Sequence, residues 1–183
     1  MSEQAARYQW VAAAFGRRVD AVETGAWDDP APVEGWRARD VVGHLTEWLP
    51  AFFCETWAIP APNGPSAEDD PVGAWHALDA MVQAAFADPA IADARRDTRM
   101  GPSTFAQTFD MIGTTDIFLH TWDLARATGL DESLDPYEVH RLFEAMEPMD
   151  QLLRDSGQYG PRVPVQDDAD EQTKLLAFIG RHP

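Results

Sequence analysis

Residues 36–57, WRARDVVGHLTEWLPAFFCETW, place apolar side chains over a wide face of one helix. Two adjacent stripes recur at helical spacings, the first made of Val41, Leu45, Trp48 and Phe52 and the second of Val42, Leu49 and Phe53. A helix with so broad an apolar face is expected to be largely buried. Pro50 lies inside the pattern and predicts a kink or an early end, because proline has no amide donor.

Amphipathic patterns on both sides of this stretch predict three further long helices. They run from about Glu3 to Glu23, from Pro71 to about Ala87 and from near Ser103 to Thr128. Ser2 and Asp70 are suited to cap the first two helices of this set, and Gly129 is suited to end the last.

Two shorter helices are expected in the last third of the chain. One starts at Asp135 and Pro136, a capping carboxylate followed by proline, and is expected to bend at Pro148. A short final helix contains the sequence LLAFIG at 175–180, and the spacing of Asp168 and Glu171 predicts a capping box before it. The sequence therefore predicts an all-α fold, in which residues 1–183 form a single four-helix domain with an extra short C-terminal helix.

The charge balance excludes several classes of partner. The chain has 31 acidic and 14 basic residues, a formal net charge of -17. Such a field repels phosphate backbones and anionic lipid surfaces, so we expect neither nucleic-acid nor membrane binding. The single cysteine cannot form an internal disulfide, the N-terminus lacks a signal-peptide pattern, and no apolar run reaches the ~20 residues of a membrane span. We expect a soluble cytoplasmic protein.

Three side chains form a candidate metal site. Asp116 and His120 are four residues apart in a predicted helix, so both project from one side of it. His44, on the second predicted helix, could supply a third ligand. Two histidines and a carboxylate leave coordination positions open, as catalytic metal sites do. A surface pair, or a histidine that is simply packed in the core, would give the same spacing.

Two neighbouring features leave alternatives open. Asp123 follows His120 by three residues and could orient a metal ligand, or instead hydrogen-bond a neighbouring helix end. Four tryptophans line a pocket or belong to the core, and spacing alone does not decide between these roles: Trp48, Trp57, Trp75 and Trp122.

Three stretches carry a resemblance to a known family. They are W-x3-DVVGHL at 36–45, D-x3-HTWDLARATG at 116–129, and GPRVPV at 160–165 with LLAFIGRHP at 175–183. Together they resemble actinobacterial metal-binding proteins related to the N-terminal domain of mycothiol-dependent maleylpyruvate isomerase, within the DinB-like superfamily. The resemblance touches both halves of the chain and its last residues.

This resemblance implies a DinB-like four-helix bundle that binds a divalent metal, zinc or nickel. The ligands it implies are a histidine on the second helix and two residues four apart on a later helix, which match His44, Asp116 and His120. Aspartate stands where the isomerase has glutamate, so the helix must approach the metal more closely. Bundles of this family often pair through helix faces, so we expect a homodimer.

The functional hypothesis that follows is a mycothiol-dependent transferase or isomerase. The metal would activate a low-molecular-weight thiol such as mycothiol toward a small-molecule substrate. A hydrolase could use the same site with metal-bound water. A third possibility, from a different class, is a non-catalytic metal-binding bundle that acts as a sensor or an interaction module.

Overall fold

Helices dominate the computed structural model, which describes residues 2–98, 101–155, 157 and 159–183. The α-helices are α1 (Glu3–Ala21), α2 (Ala38–Trp57), α3 (Pro71–Ala87), α4 (Pro89–Ala92), α5 (Phe105–Thr108), α6 (Thr115–Thr128), α7 (Pro136–Met146), α8 (Asp150–Asp155) and α9 (Glu171–Phe178). Short 3-10 turns cover Thr24–Asp28 and Glu147–Met149, a π-helical segment covers Phe109–Thr114, and the strands are β1 (Arg95–Thr98) and β2 (Gly101–Thr104).

Four helices enclose the core. Both α1 and α2 pack against α3 on one side and α6 on the other, so the four form a closed ring in the order α1, α3, α2, α6. Large side chains that are fully buried fill the centre of this ring, among them Tyr8, Phe15, Phe53, Trp75 and Trp122. The all-α prediction is therefore confirmed for the main architecture. Within the described residues, no helix combines the length and the apolar character needed to cross a membrane.

The predicted helix starts are confirmed at three positions. Ser2 Oγ accepts a hydrogen bond from the amide of Ala5 at 3.2 Å. Asp70 and Asp135 likewise accept from the third residue beyond them, at 2.9 and 3.0 Å, and each precedes a proline at the first helical position. Side-chain oxygens at these positions satisfy amides that have no partner within the helix.

The last helix begins differently from the prediction. The capping box of Asp168 and Glu171 is wrong, because Asp170 is the capping residue and accepts from the amide of Thr173 at 2.8 Å. Asp170 directly precedes the first helical residue, so its carboxylate reaches that amide, whereas Asp168 lies two residues further out. The predicted bend at Pro148 is confirmed as the 3-10 turn between α7 and α8. Helix α2 continues through Pro50 to Trp57 and does not end early.

The predicted fourth helix divides into more elements than the sequence pattern indicated. Strands β1 and β2 pair antiparallel just before it, and Ser103, the predicted start, lies in β2. The helical part starts at Phe105, where Thr104 Oγ1 accepts from the amide of Gln107 at 3.1 Å. Strands of four residues are too short to show a clear alternation of apolar and polar residues, so the hairpin was not predicted. The end is confirmed, since Gly129 closes α6 in the left-handed conformation with φ of 67°.

Candidate metal centre

The three predicted ligands come from two neighbouring helices. His44 lies on α2, and Asp116 and His120 lie one turn apart on α6, which packs against α2. The start of α2 is held by Asp40, whose carboxylate accepts from the backbone amide of Arg37 at 2.8 Å and from its guanidinium at 2.9 Å. The Asp40 carboxylate thus satisfies the amide of the capping residue itself, and Arg37 makes no side-chain cap bond to the first turn.

The structure brings the three side chains together around one carboxylate. Nε2 of His44 lies 3.2 Å from Oδ2 of Asp116, and Nε2 of His120 lies 3.6 Å from Oδ1 of the same group. One ligand atom from each of the three residues lies within 4.8 Å of the others. Two imidazole nitrogens and a carboxylate oxygen therefore face one small volume, as the donor atoms of a metal site must.

Two tryptophans border this volume. Nε1 of Trp48 donates a hydrogen bond to Oδ2 of Asp116 at 2.9 Å, so this indole contacts the site itself. The ring of Trp36 stacks on His120 with centroids 5.8 Å apart and lies 5.0 Å from the ring of His44. Trp36 was not predicted as a site residue, although it opens the motif at 36–45 that suggested the family.

The three other tryptophans considered from sequence are core residues. Trp75 and Trp122 are essentially fully buried, and Trp57 packs beside Phe53 and donates from its indole to the carbonyl of Ala94 at 2.8 Å. None of the three belongs to the group that surrounds the Asp116 carboxylate. Their spacing on the helices reflects packing and not a binding site.

Asp123 holds the buried side of His120. Its Oδ2 lies 2.8 Å from Nδ1 of His120, and an ionised carboxylate only accepts, so Nδ1 is the donor. In the neutral imidazole this leaves the lone pair on Nε2, the nitrogen that faces Asp116. Arg181, just after α9, donates two hydrogen bonds to Asp123 at 2.7 and 2.8 Å. Asp123 thus both orients His120 and ties the C-terminal segment to α6.

Arg181 is a contributor that the sequence pattern did not reveal. Its side chain is 18% exposed and pairs with a carboxylate that is 0% exposed. The signal that could have identified it is its place in GRHP at 180–183, inside the stretch that carried the family resemblance. Sequence spacing could not connect it to Asp123, because 58 residues separate the two.

The charges of the site follow from burial and from these contacts. Burial alone would raise the pKa of Asp116, but His120, His44 and the Trp48 hydrogen bond together hold it below its usual value. Burial would likewise raise the pKa of Asp123, and the hydrogen bonds from His120 and Arg181 lower it. Burial would lower the pKa of His120, whereas the Asp116 and Asp123 carboxylates raise it. Both carboxylates are therefore ionised at neutral pH.

The site is open on one side. The His120 side chain is 7% exposed, while those of Asp116 and His44 are 25% and 32% exposed. Tyr159, on the segment before α9, lies within electrostatic range of Asp116. Burial and the Asp116 charge raise the pKa of its phenol, and Arg181 lowers it, so the hydroxyl is neutral at pH 7. A small molecule would approach from the side of His44 and Asp116.

The chain is similar in sequence to proteins that are described as uncharacterized. The chain is 29% identical over 170 residues to the uncharacterized proteins MT0763 and Rv0738 of two Mycobacterium tuberculosis strains, CDC 1551 and H37Rv. Each match covers 92% of this chain and 92% of the relative. No family model matches the chain, and no solved structure matches it.

Proposed function

We propose that this protein is a divalent-metal-dependent enzyme of the mycothiol-dependent transferase or isomerase type. In this proposal zinc or nickel is held by His44, Asp116 and His120 and activates a low-molecular-weight thiol. The observation that carries it is the convergence of two imidazole nitrogens and one carboxylate oxygen within 4.8 Å of one another. The resemblance to actinobacterial proteins supports the thiol, and relatives from Mycobacterium agree with that source.

The arrangement of the helices supports a DinB-like bundle as the fold. The ring of α1, α3, α2 and α6 places one ligand on the second long helix and two, four residues apart, on a later one. That distribution is the one that the resemblance implies. We therefore propose membership of the DinB-like superfamily.

The donor set suits a catalytic metal in its chemistry. Two histidines and a carboxylate are the protein ligands of many zinc and non-haem metal sites in which other positions stay open. His120 receives its orientation from Asp123, as ligating histidines usually do from a carboxylate or a carbonyl. Trp48 donates to Oδ2 of Asp116, while Oδ1 lies beside Nε2 of His120.

The residues of this chain would bind, orient and enclose the reactants. A divalent metal in this site would favour the thiolate form of a bound thiol at neutral pH. His44 and Asp116 present their donors from the open side, whereas Asp123 and Arg181 fix His120 from the buried side. The indoles of Trp36 and Trp48 border the carboxylate and the imidazoles. The only cysteine, Cys54, is not in the group, so a reacting thiol must arrive as a cosubstrate.

The partners of this activity are a thiol and a second small molecule. We propose mycothiol as the thiol on the resemblance alone. The homodimer and the cytoplasmic location stay predictions that follow from the family and from the composition.

Metal content is the first test. We expect stoichiometric zinc or nickel in protein purified without an affinity tag or chelator and measured by plasma mass spectrometry. His120→Ala should lose the metal, whereas His76→Ala should keep it, because His76 is an exposed residue paired with Asp20 at 2.8 Å. Metal-free wild type, or equal metal in His120→Ala, would overturn the proposal.

Thiol activation is the second test. Cobalt substituted at the site should change its visible spectrum when mycothiol is added, because a thiolate would become a new ligand. A cobalt spectrum that does not change when thiols are added would contradict the proposal of a thiol-dependent enzyme. In that case hydrolysis of ester or amide substrates would indicate the hydrolase, and inertness toward both would favour a non-catalytic sensor or interaction module.

A further inference from the structure

The helix that carries Asp116 and His120 starts from a wide turn. Phe109–Thr114 is π-helical and joins α5 to α6 without a break. A π turn pairs each amide with the fifth residue before it and not the fourth, so a carbonyl is left without its usual partner at the change of pairing. Such turns are rare and are frequent at functional sites. The wide turn here ends two residues before Asp116.

Two side-chain features mark this turn. Thr114 Oγ1 is buried and has no hydrogen-bond partner among the described residues. Two threonines of α6, Thr121 and Thr128, instead each donate to the carbonyl four residues before them, at 2.8 Å. Gly113 is needed as well, because a Cβ there would lie 2.9 Å from the ring of Phe109.

The guanidinium of Arg7, on α1, forms hydrogen bonds to the wide turn Phe109–Thr114 and to the residue after it. One guanidinium nitrogen donates to the main-chain carbonyl of Asp110 at 2.6 Å and to its carboxylate at 2.9 Å. The second donates to Thr115 Oγ1 at 3.2 Å and to Glu138, and Nε donates to Glu138 at 2.8 Å. The Arg7 side chain is 13% exposed, so these bonds are largely shielded from water.

We infer that Arg7 is a positioning residue for the candidate metal centre, because it fixes the register of the π turn that aims α6. Its guanidinium supplies a donor to a carbonyl inside the wide turn and binds the residue directly before Asp116. A shift of one residue in the helical pairing would rotate Asp116 and His120 by about 100° around the helix axis. Arg7 does not contact either ligand, so its effect passes through α6. The inference uses the proposed function only for its metal-binding readout.

Arg18 provides a matched control on the same helix. It also donates from α1 to main-chain carbonyls, those of Asp131 at 2.9 Å and Ser133 at 2.8 Å. These carbonyls lie beyond the C-terminal end of α6, and none belongs to the wide turn. Arg18→Met therefore removes hydrogen bonds from α1 to main-chain carbonyls without releasing residues 109–115.

Amide hydrogen exchange tests the register in the metal-free protein. In Arg7→Met we expect the amides of residues 109–116 to exchange about tenfold faster than in wild type, since bonds from a charged donor are lost. Arg18→Met should leave this segment unchanged. Arg7→Lys keeps the charge but replaces the planar guanidinium with a single ammonium group. Its exchange rates at 109–116 should lie between those of wild type and Arg7→Met. Unchanged exchange at 109–116 in Arg7→Met would overturn the inference.

Metal affinity tests the consequence for the site. Competition with a chromophoric chelator should give a dissociation constant about tenfold higher for Arg7→Met, partly restored in Arg7→Lys and unchanged in Arg18→Met. The visible spectrum of bound cobalt should shift in Arg7→Met alone. An equal rise of the dissociation constant in Arg18→Met would indicate general destabilisation and would overturn the inference.

Failure of the inference is distinguishable from failure of the proposed function. Wild type that binds no metal defeats the proposed function, and hydrogen exchange then decides the role of Arg7. Wild type that binds metal, together with an equally tight Arg7→Met, defeats the inference alone. If Arg7→Met does not fold, Arg7→Lys is judged against Arg18→Met by the same two measurements.

Discussion

His120 contacts both carboxylates of the candidate site. Its Nε2 faces Asp116 and its Nδ1 faces Asp123, while Trp36 covers one face of the ring. Because Asp123 accepts from Nδ1, the nitrogen offered to a metal is selected by a neighbour that does not itself ligate. Single substitutions can therefore weaken binding without removing a ligand.

The first prediction concerns that neighbour. Asp123→Asn keeps the shape of the side chain but removes the charge that selects the His120 tautomer, so metal affinity should fall by about 10–100-fold in a chelator competition titration. Asp79→Asn is the control, because Asp79 also accepts from a buried side chain, Tyr8, at 2.7 Å, but lies outside the site. Equal affinities in Asp123→Asn and wild type would contradict the role given to Asp123.

The second prediction concerns the unpaired hydroxyl of the wide turn. Thr114 is 0% exposed and its Oγ1 has no partner among the described residues, so Thr114→Val removes a buried polar group at nearly constant volume. We expect the free energy of unfolding to rise by about 1 kcal/mol in urea denaturation. Thr108→Val, equally buried, removes a hydroxyl that donates to Thr104 at 2.9 Å, and should lower it by about 1 kcal/mol. Destabilisation by both variants would contradict this account.

The contact of α1, the wide turn and α7 depends on one buried carboxylate. Glu138 of α7 is 4% exposed and receives hydrogen bonds from both Arg7 and Arg141. Burial alone would raise the pKa of Glu138, but the hydrogen bonds and charges of Arg141 and Arg7 lower it. The charged form therefore holds three helical segments together.

This carboxylate predicts how stability depends on pH. Since the folded pKa of Glu138 lies below the unfolded one, its contribution is complete above the unfolded pKa and is lost as pH falls through the folded pKa. Glu138→Gln should be less stable than wild type by about 2 kcal/mol at pH 7, and the difference should shrink between about pH 5 and pH 3. Urea denaturation at several pH values measures this. As a control, Glu132→Gln, from the exposed pair with Arg126, should change stability by under about 1 kcal/mol. A stability difference between Glu138→Gln and wild type that does not change with pH would refute the role given to the Glu138 charge.

Helix patterns and the caps of α1, α3 and α7 were predictable, whereas the cap of α9 and the exact pairings were not. The bounds of α3, Pro71–Ala87, follow from a local cap and an apolar stripe, and the meeting of His44 with Asp116 required only that two helices pack. The wide turn at 109–114 has no known local signal, since a single extra residue per turn barely disturbs the apolar spacing. Arg181 and Arg7 reach partners 58 and 103 or more residues away, and such contacts depend on how the bundle closes.

Because the closed ring of helices brings the proposed ligands together, a metal bound by them should stabilise the folded chain. His44 on α2 and Asp116 on α6 approach each other only when the bundle is assembled, and the unfolded chain has no comparable site. A ligand at about 100 times its dissociation constant adds about 2.7 kcal/mol, which for a chain of this length raises the Tm by about 5–10 °C. Thermal melts with zinc or nickel should show this rise and its reversal by a chelator. His44→Ala should melt at the same temperature with and without metal, while His140→Ala, whose imidazole pairs with Glu171 on the surface at 2.9 Å, should respond as wild type does. A metal-induced rise that persists in His44→Ala would place the metal elsewhere in the molecule.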